Sequence, residues 1–462
     1  MRRWVMLLAG LVAATPAYSA TEDSDLDRIP TQMPAEAAPA PASKDVNYLS
    51  DALQLSAARK GLAVPLPPPT PATWENWLFL DTRDEWRLGD AWRLHYSGRL
   101  NFRTSNRIAF PSHENVRNDL RELFVEWQPT DTAWVELGRV NIRNGVALGF
   151  NPTDFFRSRT VIEPLTADPS VLREDRLGVL MLTGQMLWSH GSVTVAYAPK
   201  VTTPTAIYGI RNEQSFDPGL DRTNAEDRVL VKSSLNLAEQ FNPELLFYHA
   251  GNRTQIGANL TTQVGRSAVA YLEWAGGTRS DLIADAFRYG RMTGTLPASA
   301  TTLLPNNSGT HFMNDLSIGV SYATENRMTI NLEYHFHEAG FTSGDWSNWF
   351  NASARHGFIP GVNPALWYLR SYAQDQQEPV SRHAAFLRLA WQDAFVKNLD
   401  LSALATVNLQ DASGFVQATA EYHLSRAWTI AGLISGTYGG RRSEYGSLPG
   451  VASGLLRASR YF

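Results

Sequence analysis

From about Trp74 onward, apolar and polar residues alternate with a period of two over segments of roughly 10 to 14 residues, the length a tilted strand needs to cross a bilayer. In "MTINLEYHF", Met328, Ile330, Leu332, Tyr334 and Phe336 point one way, and Thr329, Asn331, Glu333 and His335 the other. The segment before it sets Leu316, Ile318, Val320 and Tyr322 against Asp315, Ser317, Gly319 and Ser321, and the link "ATENR" joins the two as a hairpin. In "WRLHYSGRLNFR", Trp92, Leu94, Tyr96, Gly98, Leu100 and Phe102 alternate with Arg93, His95, Ser97, Arg99, Asn101 and Arg103.

The pattern predicts strands near 75–88, 91–104, 118–128, 132–143, 174–188, 191–200, 228–238, 243–252, 253–263, 266–277, 312–323, 327–338, 382–394, 398–410, 413–424, 427–438 and 452–462. Short connections such as 89–90, 189–191 and 425–427 alternate, with few exceptions, with long ones at about 105–117, 144–173, 201–227, 278–311, 339–381 and 439–451. Turns on one rim and long loops on the other are the plan of an all-β, antiparallel, transmembrane barrel with short periplasmic turns and long extracellular loops. A soluble sandwich has no reason to keep that parity. If both chain ends lie on the periplasmic side, the strand number is even. One strand is then missing, just before Trp74 or inside a long loop, or one segment is surplus. The expectation is 18 strands, with 16 as the alternative, and a barrel of this size can hold a solute path.

The N-terminus changes the picture. "MRRWVMLLAGLVAATPAYSA" has the charge, apolar run and small residues of a secretory signal peptide, which assigns residues 1–20 to export. Residues 21–73 are rich in Ala and Pro and read as a periplasmic tail, with a possible short helix over Asn47–Gly61 and a possible periplasmic partner. The barrel is then 74–462.

Composition agrees. The chain has 20 Phe, 16 Tyr and 14 Trp, yet a mean hydropathy of −0.25, as expected when one face of each strand meets lipid and the other water. The absence of cysteine excludes disulfides and thiolate metal sites. The net charge of −4 gives no case for nucleic acid. The final strand, with Leu456 and Ala458 on one face and Phe462 at its end, resembles the C-terminal strand of outer-membrane proteins. That resemblance implies insertion by the outer-membrane assembly machinery into outer-membrane lipid, although Arg460 stands where an apolar residue is usual.

Candidate chemistry is sparse. His335 and His337 share a face with Glu333, but spacing of two along one strand gives no tetrahedral set by itself, and His311, His383 and His423 are scattered. No catalytic group, metal site or cofactor is expected. An outer-membrane enzyme using these histidines is a remaining alternative.

The charged positions are more informative. With Leu123, Val125 and Trp127 outward, Glu122 and Glu126 point inward. Arg139 and Arg143 on the next strand should face them, with Arg99 and Arg103 on the strand beyond. Opposed charges across facing strands either pair to stiffen the wall or set a field that orients a polar or anionic solute.

The long loop that follows holds "GFNPTDFFRSR". Pro152 excludes α geometry at Asn151, so Asn-Pro-Thr-Asp should turn sharply, with Asp154 accepting backbone N–H groups. Phe150, Phe155 and Phe156 would be costly in water. The loop is therefore expected to fold into the barrel and constrict it, with these phenylalanines, Asn151 and Pro152 as anchors and Arg157 and Arg159 facing the lumen.

"LGRVNIRNGVALGFNPTDFFRSR", followed by "REDRLGVLML", resembles a segment of porin-like outer-membrane barrels that include alginate-export-like proteins. Gly138, Arg139, Gly145, Asn151, Pro152 and Asp154 carry the match over about forty residues, and Asn144 departs from it. The resemblance implies passage of hydrophilic or amphiphilic material across the outer membrane. The expected function is thus an outer-membrane channel for hydrophilic or anionic solutes, constricted by an inward loop. The alternative is an export conduit for an exopolysaccharide or other secreted product.

Overall fold

The computed structural model describes residues 47–67, 72–106, 116–162, 165–207, 216–237 and 241–462. Eighteen antiparallel strands form one closed sheet. They are β1 (Tyr48–Ala58), β2 (Trp74–Arg87), β3 (Trp92–Ser105), β4 (Val116–Thr130), β5 (Ala133–Val140), β6 (Val179–Trp188), β7 (Gly191–Ala198), β8 (Arg228–Leu235) and β9 (Glu244–Ala250). The second half comprises β10 (Arg253–Val264), β11 (Ala268–Arg279), β12 (His311–Ala323), β13 (Met328–His337), β14 (His383–Trp391), β15 (Leu399–Asn408), β16 (Gly414–Ser425), β17 (Trp428–Tyr438) and β18 (Gly450–Tyr461). Each strand pairs with its neighbours in sequence, and β1 closes the cylinder against β18.

The alternation read from sequence is the alternation of lipid and lumen. Leu332 (52 % exposed), Ile318 and Ile434 point outward, whereas Asn331, Glu333 and His335 are buried inside. Trp86, Trp92, Trp127, Trp188 and Trp428 form an exposed girdle beside the short turns. Trp74, Phe102, Tyr197, Phe312 and Tyr438 form another beside the long loops. Two connections on the long-loop rim are themselves short, 251–252 and 409–413.

The missing strand is β1, which corrects two expectations. The segment read as a possible helix is extended, and it belongs to the barrel rather than to a periplasmic tail. Leu49, Leu53 and Leu55 face out, and Ser50 and Ala52 face in. Register with both β18 and β2 supplies two ladders of hydrogen bonds, and tertiary pairing of this kind overrides the helix preference of an Ala- and Leu-rich segment. Residues 59–67 then lie at the long-loop rim, where Val64 is fully buried. The segment read as a signal peptide, and the expected tail as far as residue 46, lie outside the described residues.

The segment expected as a strand over 174–188 becomes one only at Val179, where β6 starts; its first residue, Glu174, is the last of a helix, α1 (Pro169–Glu174), capped by Asp168. Further helices occupy the long loops: α2 (Leu220–Thr223), α3 (Leu282–Met292), α4 (Ser343–His356) and α5 (Val362–Gln376). Leu282 and Phe287 of α3, Trp346 and Trp349 of α4, and Leu366 and Tyr372 of α5 share one buried core with Val64 and Ile207. This apolar cap covers the long-loop mouth.

Candidate functional site

The loop 141–178 leaves the wall after β5, crosses the lumen and returns at β6. What turns it inward is chiefly its backbone. Glu273, an inward residue of β11, accepts the N–H groups of Val146 (2.9 Å), Ala147 (3.0 Å) and Thr153 (2.7 Å), and also the Thr153 hydroxyl (2.9 Å). Glu333 of β13 accepts the N–H groups of Leu148 (2.6 Å) and Gly149 (2.8 Å), the Tyr271 hydroxyl (2.7 Å) and His335 Nε2 (2.6 Å). Two carboxylates thus satisfy five backbone donors that a buried loop would otherwise leave unpaired. Gly145, at φ +91°, approaches so closely that a Cβ would sit 2.5 Å from the Glu273 carboxylate.

The turn at Asn151–Asp154 forms as the sequence predicts, with Asp154 N–H donating to the Asn151 carbonyl at 3.2 Å. Asp154 differs from expectation. Its carboxylate binds Arg176 at 2.8 and 3.3 Å rather than capping backbone N–H groups, and Arg176 also holds Asn141 and the Ile142 carbonyl. Burial pushes Asp154 up, but Arg176 outweighs it and holds the carboxyl below its ordinary value.

The phenylalanines lie inside the wall, as anchors. Phe155 stacks on Tyr248 with ring centroids 4.7 Å apart, and Phe156 meets the same ring edge-on at 5.6 Å. Both pack with Leu230, Leu246 and Met181. Phe150 lies edge-on to His335 and His337. Pro152 and Asn151 are buried in the turn.

Of the arginines after them, Arg159 departs from the expectation of lumen-facing charge, while Arg157 lines a small cavity above the loop with its donors largely engaged. Arg159 is 5 % exposed and ties the loop to α5 through Asp375 (3.0 Å) and to the carbonyls of Asp221 and Ala206. Arg157 is half-buried, lies over the Phe150 ring at 5.0 Å and donates to the Gln377 carbonyl. Folding the loop inward brings its cations against the cap, which consumes their donors.

The opposed hairpin charges are also rearranged. Glu126 stands opposite Glu136 and pairs with Arg93 (2.9 Å), not Arg139. Glu122 accepts the Asn141 N–H. Arg139 stands opposite Leu123 in register and donates to the carbonyls of Gly178 and Pro218 at the rim, so it is no lumen charge. A bulge in the β3–β4 ladder, between Ser97 and Gly98 on β3, shifts the facing. It leaves Arg121 almost fully buried, beside Arg99. Arg99 pairs with Asp81 (2.7 Å) and Asp175 (2.6 Å), and Arg121 reaches the same two carboxylates. Asp175 therefore pins the far end of the loop, its carboxyl pushed up by burial but held low by Arg99 and Arg121. Arg103 pairs with Glu75 and covers Trp77. Arg143 lines a recess of the lumen 3.7 Å from Glu174 rather than facing Glu122 or Glu126, and Arg99 lines the neighbouring recess.

Sequence reasoning missed Glu273, Glu333, Arg176 and Asp175. Glu273 and Glu333 each stand as a lone carboxylate on the polar face of an alternating strand, which marks them as inward but not as partners of a distant backbone.

Below the loop, toward the short turns, two cavities of about 350 and 370 Å³ flank Ser170 and Arg388. Above it, a cavity of about 90 Å³ is lined by Asp154, Phe155, Arg157, Arg279 and Glu378. The loop is the partition between them. His335 and His337 are held by Glu333 and Asp315 in the wall.

No family model matches the sequence, and no curated protein does either. Solved structures match the fold. Pseudomonas aeruginosa OccK5 (OpdH) has a TM-score of 0.51 at 11 % identity, covering 91 % of this chain and 97 % of that one. Pseudomonas aeruginosa OccK8 (OprE) and Acinetobacter baumannii OccAB1 each have a TM-score of 0.50 at 10 % identity, covering 91 % and 98 %. The fold is that of an outer-membrane porin. The porin-like part of the resemblance therefore holds for the fold, whereas none of these porin structures is an alginate-export-like protein.

Proposed function

We propose that this porin barrel is an outer-membrane channel for hydrophilic solutes, anionic ones included, whose narrowest zone is set by the loop 141–178. The observation that carries the reading is the loop itself, held across the lumen by Glu273 and Glu333, with a cavity on either side of it. A barrel built only to close would fill that space with side chains. Most arginines near the path are neutralised by a carboxylate, including Arg388 by Asp168 (3.0 Å), Arg457 by Glu421 (3.3 Å) and Arg143 by Glu174. Selectivity for anions should accordingly be mild. Insertion through the assembly machinery, using β18, is part of the same proposal.

Planar-bilayer recording tests it. Purified full-length protein should give discrete unitary currents with weak anion preference. Folded protein that conducts no ions would contradict the channel.

A further inference from the structure

We propose that the recess beneath the loop, on the wall formed by β11–β14, is a subsite for a neutral polyhydroxylated solute, a mono- or disaccharide in transit. This deepens the channel reading and rests on it.

Four inward residues form one row in register across adjacent strands: Val269, Ser321, Asn331 and Arg388. Ser321 is 7 % and Asn331 5 % exposed. The Oγ of Ser321 and the Oδ1 of Asn331 find no hydrogen-bond partner among the described residues. Buried polar atoms without partners are destabilising and uncommon in native folds, and both residues line a cavity of about 370 Å³, within the range of small-molecule sites. Thr329, 3 % exposed, extends the polar row toward the short-turn rim. Tyr271 stands one pair above, its hydroxyl donating to Glu333 and meeting the Asn331 side-chain amide, so that what it adds to the recess is ring surface, while Oδ1 of Asn331 stays unmet.

The charges around the recess argue against an ionic occupant. Arg388 is bound by Asp168 and Arg143 faces Glu174, while Arg173 donates to the carbonyls of Asn144, Gly145 and Ala147. What remains unmet is an amide oxygen that needs a donor and a hydroxyl that can give or take. A sugar hydroxyl does both, and its C–H face suits the Tyr271 ring.

The test uses full-length protein in lauryldimethylamine oxide, free of sugar-based detergent, with maltose as probe and polyethylene glycol of matching size as control. Calorimetry should show saturable maltose binding, and maltose should interrupt unitary currents where the polymer only lowers them in proportion to concentration. Ser321→Ala with Asn331→Leu should weaken maltose at least about tenfold. Ser321→Ala alone should give a smaller loss, with folding of each variant checked by the unheated gel shift. Maltose behaving like the polymer in both readouts, or binding unchanged in the folded double variant, would overturn the subsite. Saturable binding by protein that conducts nothing would keep the subsite and remove the channel.

Discussion

Glu273 on β11 and Thr153 in the crossing loop are joined twice, the carboxylate accepting the threonine N–H at 2.7 Å and its hydroxyl at 2.9 Å. The Thr153 hydroxyl also lies 2.9 Å from Asn259 of β10. One short side chain therefore locks the first half of a 38-residue excursion to two adjacent strands of the wall. A loop held by its own backbone is fixed in position whatever its outer side chains do, which is what a stable constriction requires.

The Asp154–Arg176 pair closes the loop on itself, with both side chains almost fully buried. Removing one partner leaves an uncompensated buried charge. Asp154→Asn should destabilise by about 3–5 kcal/mol. Arg176→Met should cost a similar amount, and the double variant clearly less than the sum. A double-mutant cycle on denaturant unfolding in detergent checks this. Additive losses would mean that the pair contributes little as a pair.

The pH response follows from two loop carboxyls. Burial raises both Asp154 and Glu378, but Arg176 for the first, and Arg279 with His337 for the second, hold them below their ordinary values of about 4. A lowered folded value means that the stabilisation is fully present above the unfolded value and is lost as pH falls through the folded one. Hydrogen exchange of the Asp154, Arg157 and Glu378 amides, corrected for intrinsic rate, should therefore be flat from pH 7 to 5, with protection lost only well below about pH 4. Loss of protection already between pH 7 and 5 would contradict these assignments.

Arg139 and Arg143 should separate in their effects. Arg139 donates to two rim carbonyls, and hydrogen bonds from charged donors are each worth about 1.5–3 kcal/mol. Arg139→Ala should lower the unfolding midpoint and leave the reversal potential unchanged. Arg143, half-exposed over the recess, should do the opposite. Its alanine variant should shift the reversal potential toward cations with little change in midpoint.

Much of the barrel is legible in the sequence because strand parity is a local signal repeated along the chain. Met328 to Phe336 names its own lipid and lumen faces. β1 is the exception, since 11 residues rich in Leu, Ala and Ser suit a helix until β18 and β2 are present to pair with them. The helical cap was hidden for a related reason. Its capping box of Thr342 and Asp345, and the apolar Trp346, Trp349 and Phe350, are visible in the sequence. The buried members of the core that these residues join come from four separate loops, and Leu448 of a fifth packs against it. At the site, the inward phenylalanines could be foreseen from the cost of exposing them. The tethers could not, because Glu273 and Glu333 bind backbone N–H groups, which every sequence has and none advertises. For the same reason Arg157 and Arg159 looked like free lumen charges, when Asp375 and the Gln377 carbonyl are brought to them by the cap.

In the proposed channel the loop 141–178 sets the width of the path, and Glu273 and Glu333 keep it there. Unitary conductance of the wild type against Glu273→Gln with Glu333→Gln, both shown to be folded barrels, tests it most directly. Each amide would set N–H donors against backbone N–H donors and release the loop from the wall. Higher conductance and passage of larger neutral solutes are expected in the double variant. An unchanged conductance and size limit would contradict it.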